Sequence, residues 1–494
     1  MDYLNVQKTR RHHLVIMVGY VLIATAIVTG TLILVQLAYG FGLTKNGTVI
    51  QNGSVYFSSQ PNPADIYING KLNGHKTNTR LYLPGNIYQV KLSRSGYRDW
   101  QRTISLYGGS VEHFDYPLLI PTKLISKKIG QPYPSAPGLV TQSPDRRWLV
   151  VQEPGSSLTF DVYDLANPAK APVDTALPAG IANKATSTES WQVDEWADDN
   201  QHVLLQHDFD GKTEYILLDR NDPTQSLNLN ATLSISSPTA VSLNNKKYDQ
   251  YYLYDSTSGA LQTASLSAPT AAARLDHVLA FKSYGNDTIL YVTGTSSPSG
   301  KVLVKLASGN QTSDLRSLPS GGSYLLDLTQ YSGTPYVAIG AASLNKVYIY
   351  RDPLGQLAAQ PDHAIVPVQV LHVVQPNYLS FSTNAQFIVA ESGQQFGVYD
   401  IENKTGFNYT SPAPLDAPQS HASWMDGDRL VYVSGGKLNM ADYDNANRQT
   451  LMLASSNYVA AFSPNYNFVY SLVPSATAGQ FDLEQTSLLI PADQ

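Results

Sequence analysis

From residue 139 to residue 494 the chain keeps returning to one pattern, an apolar strand, a polar turn and a second, aromatic strand. The apolar strands begin near Leu149, Val203, Tyr251, Ile289, Tyr336, Phe387, Leu430 and Phe468, a mean spacing of about 46 residues. A repeat of roughly 40–50 residues that yields only short strands suits a four-stranded propeller blade, because one such unit cannot bury its apolar faces alone and must stack on its neighbours. The spacing predicts eight blades, or seven if the strands near Tyr251 and Ile289 belong to one distorted blade.

The second strand of each unit supports this reading. Residues 148–151 are followed by FDVYDL at 160–165, and residues 387–390 by FGVYDI at 396–401. Polar turns punctuate the units: SPDRRW at 143–148, WADDN at 196–200, WMDGD at 424–428 and FSPNYN at 462–467. The array resembles the TolB and WD40-like propellers, whose blades carry Ser-Pro-Asp-Gly between their first two strands, although the Gly-His and Trp-Asp signature of true WD40 repeats is missing. Blades that pack face to face need large apolar side chains between them, so Trp148, Trp191, Trp196 and Trp424 are expected in inter-blade contacts.

Composition narrows the function. Charged residues are 15% of the 494 residues and the formal net charge is −6, which gives no basic footprint for nucleic acid. With 32 Tyr, 34 Gly and 29 Pro the chain has the make-up of strands and turns, not of helices. The absence of cysteine excludes disulfides, thiolate metal sites and a thiol nucleophile.

Residues 14–43 contain no Asp, Glu, Lys, Arg or His. About 20 apolar residues span a bilayer core, and a cleavable signal's apolar stretch is only about 7–15 residues, so a transmembrane signal-anchor helix is expected over 14–40. Lys8, Arg10 and Arg11 precede the run, whereas Lys45 is the one basic residue in the next two dozen positions. The positive-inside rule then places a cytoplasmic tail at 1–13 and the bulk of the chain outside the cell membrane. Ala26 and Gly30 form a small-xxx-small pair, too common in apolar helices to assign a dimer.

Between the helix and the repeats, residues 53–119 read as short strands separated by turns such as Asn69-Gly70 and Pro84-Gly85, predicting a small antiparallel β-sandwich. A Pro-rich linker is expected over 120–138, with Pro121, Pro132, Pro134 and Pro137. The strings SSQPNPADIYINGKLNG and LYLPGNIYQVKLSRSGYRDW resemble a PEGA domain at Pro61, Ala64, Gly70, Pro84, Gly85, Gly96, Tyr97 and Trp100. Asn62 and Pro63 depart from the namesake motif. The resemblance implies a bacterial envelope or cell-surface module with no catalytic residues of its own.

No catalytic constellation is legible. Gly-x-Ser-x-Gly and His-Glu-x-x-His are absent, and His202 and His207 fall on opposite faces of one strand. The Asp208, Asp210 and Glu214 stretch lacks one oxygen ligand of a calcium loop and reads as a hairpin turn, as does Asp426-Gly427-Asp428. The expected architecture is therefore mainly β: an N-terminal transmembrane helix, a PEGA-like sandwich and a propeller over 139–494. The expected function is a single-pass envelope protein that uses the propeller as a binding or structural platform for a protein or cell-wall polymer, with no cofactor, metal or nucleic acid. The alternatives are a glycan-active hydrolase or lyase, which would need acids from different blades to converge, and a sensor subunit acting through a membrane partner.

Overall fold

The computed structural model describes all residues except 1–5, 39, 44–48, 157, 236–239, 286, 362, 418–420 and 494. Five residues of the expected cytoplasmic tail, and Lys45, lie outside the described residues. The chain divides into two compact units, one of Met1–Lys123 with Asp493 and one of Leu124–Ala492 with Gln494.

The first unit begins with a helix at Val6–Ala38, of which His12–Gln36 is long and apolar enough to cross a membrane. Two four-stranded sheets follow. One holds Phe41–Leu43, Val49–Phe57, Thr79–Pro84 and Val111–Phe114; the other holds Lys71–Lys76, Asp65–Ile68, Asn86–Ser93 and Trp100–Leu106. The expectation of a wholly antiparallel module is corrected at one place: Val49–Phe57 pairs with Val111–Phe114 in parallel. A parallel neighbour needs a long crossover, and the other sheet lies in sequence between these two strands. Phe57 stacks on Phe114 with ring centroids 5.6 Å apart, and Trp100 from the other sheet meets Phe114 at 6.3 Å.

In the second unit the described residues form eight four-stranded antiparallel sheets. Seven are built from consecutive strands, from Val140–Ala176 to Ser423–Leu453. The strands at Gln250–Asp255 and Thr288–Thr293, the pair that one distorted blade would have joined, lie in different sheets.

Each sheet touches the next. Trp196 Nε1 donates to Thr141 Oγ1 at 2.8 Å, joining the first strands of sheets two and one, and Glu195 accepts from the Leu243 amide of sheet three. The Val278 amide of sheet four donates to Gly259 O at 2.8 Å in a hairpin of sheet three. Sheets four and five share a core that includes Leu290, Val304, Val337 and Tyr350. The Phe381 amide of sheet six donates to Asp327 of sheet five at 2.9 Å, and Trp424 Nε1 of sheet seven donates to Ser380 O at 3.3 Å. Tyr466 OH then reaches Met425 O at 3.3 Å, and Gln142 of sheet one brackets Phe462 of sheet eight, donating to its carbonyl at 2.7 Å and accepting from its amide at 3.1 Å. Contacts that run in sequence order and return to the first sheet make this unit a β-propeller.

The eighth sheet corrects the expected linker. Its outer strand is Ser126–Tyr133, which lies inside the 120–138 stretch and pairs antiparallel with Phe481–Ser487. Ser126 and Thr486 hydroxyls lie 2.7 Å apart, and Lys128 Nζ is 2.6 Å from Asp482, holding that carboxyl below its usual range. Tyr133 packs with Leu149, Val151, Tyr470 and Leu483, a core shared by the first and eighth sheets.

The tryptophans behave as inter-sheet packing. Trp191 and Trp196 are buried in the core between sheets one and two, and Trp148 packs against it with the Arg220 guanidinium 3.9 Å above its ring. Trp424 is half-buried, 6.1 Å from Phe387.

A fragment of residues 124–492 should unfold cooperatively, whereas one starting at 139 lacks the closing strand. Its stability in urea should be lower by at least about 3–5 kcal/mol, the cost of truncating one buried aromatic, since Tyr133 is lost with it. Equal unfolding midpoints for the two fragments would show that closure does not stabilise the ring.

Candidate binding cleft and buried acids

The closing strand also makes one wall of a cleft of about 780 Å³. Lys127–Pro134 line one side, and Glu153, Asp161, Tyr163 and the Pro168–Pro172 loop of the first sheet line the other. Tyr133 OH donates to Asp161 Oδ2 at 2.7 Å and lies 2.8 Å from Tyr163 OH. Burial, followed by the neighbouring tyrosine and carboxylate, pushes the Tyr133 hydroxyl far up, and Tyr163 is pushed up to about 12. Burial also raises Asp161, and Glu153 is raised by burial and by the charges of Asp161 and Asp174. The floor thus holds two carboxyls raised from their ordinary range, while the rim carries Lys127, Lys128 and Lys170. A cleft of this size, with prolines beside tyrosine and carboxyl groups, suits a ligand that both packs and hydrogen-bonds.

A second set of polar groups surrounds a buried histidine of the second sheet. His207 is fully buried in the second sheet, with Nδ1 2.8 Å from Glu214 and Nε2 3.1 Å from Glu189, and its ring is stacked on Trp191 at 4.2 Å. Asn183 and Asn228 donate to Glu214. Both ring nitrogens are therefore engaged by carboxylates. His202, on the opposite face, pairs with Asp199 at 2.6 Å and stacks on Tyr248.

The calcium-like residues diverge. Asp208 accepts from Thr213 and Gln206, Asp210 accepts from Thr186 and Ser187, and Glu214 is turned to His207. The serine and threonine donors hold the Asp210 carboxyl well below its usual range. Asp210 and Gly211, both with positive φ, form the two-residue turn of a hairpin. Asp426 is taken up by Arg429, its carboxylate 2.6 Å from the guanidinium. Among the described residues no cluster of three metal-binding side chains occurs.

Three further acids are raised. Desolvation and the adjacent Glu195 raise Asp194, an exposed residue, against Lys246, and burial raises Asp327 against Lys282. Glu391, in the second strand of the sixth sheet, is fully buried and pushed up to about 8 by burial, opposed by the Ala422 amide at 2.8 Å. Its Oε1 has no hydrogen-bond partner among the described residues. The amide bonds of Asp327 and Glu391 run to neighbouring sheets, so both carboxyls act as ties in the ring. Nothing in the sequence marks these acids, because an acid in an alternating strand reads as solvent-facing.

In the first unit the PEGA-like positions shape the backbone. Gly70 and Gly96 have positive φ, and a Cβ on Gly85 would come within 3.1 Å of the Gly108 amide. The Gln60–Pro61 bond is cis, and Pro84 O accepts from Tyr88 OH at 2.8 Å. Ala64, Tyr97 and Trp100 are buried, and the Ala64 amide donates to Thr77 Oγ1 at 2.8 Å.

Residues 52–120 match the PEGA domain family. No curated protein matches the chain. Among solved structures, the Dos1 propeller is 13% identical, covering 74% of this chain and 95% of its own, with a TM-score of 0.42. The Cps50 (Swd1) β-propeller domain of Myceliophteria thermophila is 10% identical over 68% and 99%, with a TM-score of 0.37. An oligogalacturonate lyase in complex with manganese is 11% identical over 74% and 100%, with a TM-score of 0.39. At these scores the likenesses carry no argument of their own, and the propeller rests on its sheets and their contacts.

Glu391 generates a pH prediction. A carboxyl that ionises near 8 when folded and near 4.3 when unfolded keeps its proton in the folded state across that window, so stability falls as pH rises through it and is lowest above 8. Glu391→Gln should match the parent near pH 4.5 and exceed its stability at pH 8.5 by on the order of 2–4 kcal/mol in urea unfolding. A variant less stable at pH 8.5 would show that the ionised carboxylate is favourably held.

Proposed function

We propose that this chain is a single-pass membrane protein of the bacterial envelope, whose eight-bladed propeller binds an extracytoplasmic partner without chemically altering it. The helix is the anchor, with its N-terminal side cytoplasmic, because Lys8, Arg10 and Arg11 precede the apolar run. The PEGA module, a small sandwich in this reading, lies between anchor and propeller in the sequence.

The observation that carries the binding role is the cleft beside the closing strand. It combines a fixed tyrosine–aspartate floor with proline and lysine walls, which suits an extended peptide or wall-polymer segment. The same site supports a non-catalytic reading. Asp161, the other carboxyl of the cleft, is taken up by the Tyr133 hydroxyl, and the buried histidine is engaged by two carboxylates elsewhere in the ring.

Ala171 lies exposed on the cleft wall. Purified full-length protein should therefore retain a peptidoglycan, polysaccharide or peptide ligand, and Ala171→Trp should weaken that binding at least about tenfold, a loss of roughly 1.4 kcal/mol. Unchanged binding by this variant would move the site off the cleft. Turnover of any ligand that a single Asp or Glu substitution abolishes would overturn the non-catalytic reading. Protease added to cells, or to spheroplasts, should digest the propeller, and its survival until lysis would reverse the topology.

A further inference from the structure

Between residues 50 and 123 the large apolar side chains that are at least half exposed, among the described residues, are Leu72, Tyr82, Ile87, Tyr107 and Val111. Four of the five gather at one end of the module. Tyr82 and Val111 flank Ser54 in the sheet register, one on each side. Asn86 pairs with Leu106 and Ile87 with Ser105, which sets Ile87 and Tyr107 at the same end of that sheet, and Gly85 lies close against Gly108. Tyr107 is 70% exposed and Ile87 62%. Scattered surface apolar residues need no explanation, but a set confined to one end does.

That end is where the helix arrives. The apolar span ends at Gln36, and Gly40 O already accepts from the Asn52 amide at 2.8 Å. Asn52 O in turn accepts from the Gly109 amide at 3.0 Å. Four residues of fully extended chain reach at most about 14 Å, and the headgroup layer of each leaflet is about 5–8 Å thick. Whatever the tilt of the helix, Gly40 is therefore held at or just above the headgroups. Two strand spacings, about 10 Å, then separate Gly40 from Gly109.

We infer that this end of the module, through Tyr107, Ile87, Tyr82 and Val111, rests in the headgroup layer of the bilayer that its own helix crosses. Tyrosine suits that depth because its ring is apolar and its hydroxyl stays hydrated. The inference depends on the helix being a retained anchor, as proposed above. The partner is a phospholipid surface, and because the contact is apolar it does not require anionic lipid.

The chain has no cysteine, so single cysteines can be placed without background. Full-length protein carrying Tyr107→Cys, Ile87→Cys, Ser95→Cys or Val28→Cys would be labelled with an environment-sensitive fluorophore. It would then be reconstituted in phosphatidylcholine vesicles containing shallow or deep spin-labelled phosphatidylcholine. Ser95 is exposed beyond the far end of the Asn86–Ser93 strand, about 23 Å away along it. The expected result is at least two-fold quenching at positions 107 and 87 by the shallow label, none at 95, and quenching at 28 by the deep label. Quenching at 28 with none at 107 and 87, or equal quenching at 107 and 95, overturns the inference while leaving the anchor intact. Absence of quenching at 28 shows instead that the anchor reading itself has failed.

Discussion

The propeller depends on one pairing, between Ser126–Tyr133 at the start of the second unit and Phe481–Ser487 at its end. A ring of stacked sheets has no natural terminus, and an eighth sheet of three strands would leave the Phe481–Ser487 backbone unpaired at its edge and the Tyr133 position in its core empty. Supplying the fourth strand from the opposite end of the unit satisfies that edge and joins the two ends of the unit through backbone hydrogen bonds. The entropic cost of closing so long a loop grows only slowly with length, so a pairing of this span is thermodynamically accessible, although it must form late relative to local hairpins.

Within the ring, local polar geometry repeats where sequence does not. Ser143 Oγ accepts from the Trp148 amide at 2.9 Å, Asp145 accepts from the Arg147 amide at 3.0 Å, and Arg146 takes positive φ. Ser382, Asn384 and Ala385 reproduce this turn, as do Ser463, Asn465 and Tyr466. The third strands end in Asp164, Asp219 and Asp400, each capping the amide two residues on. These aspartates are buried, and their carboxylates are taken up by backbone donors.

This division explains what was legible in the sequence. Strand alternation and Ser-Pro-Asp turns are local, so the repeats, their spacing and the PEGA-like turns could be read directly. The Ser382 turn is not legible because Thr383 and Ala385 replace the proline and the polar left-handed residue, while the hydrogen bonds that define it need only Ser382 and Asn384. The closing strand was hidden more deeply. SKKIGQPY is charged, mostly exposed and bounded by prolines, so its composition is that of a linker, and its partner is remote in sequence. The cleft was hidden for the same reason, since Tyr133 meets Asp161 and Tyr163 only after closure.

Closure and the candidate site are thus one event in physical terms. Tyr133 supplies an aromatic ring to the core between the first and eighth sheets, and its hydroxyl is the hydrogen-bond centre of the cleft floor. A ligand that fills the cleft can contact both walls only when the strand is in place, so it binds the closed ring in preference to an opened one. By linkage it stabilises closure in proportion to that preference, about 2.7 kcal/mol at a ligand concentration one hundred times its Kd. On the proposed reading, this outer strand couples the integrity of the propeller to occupation of its cleft.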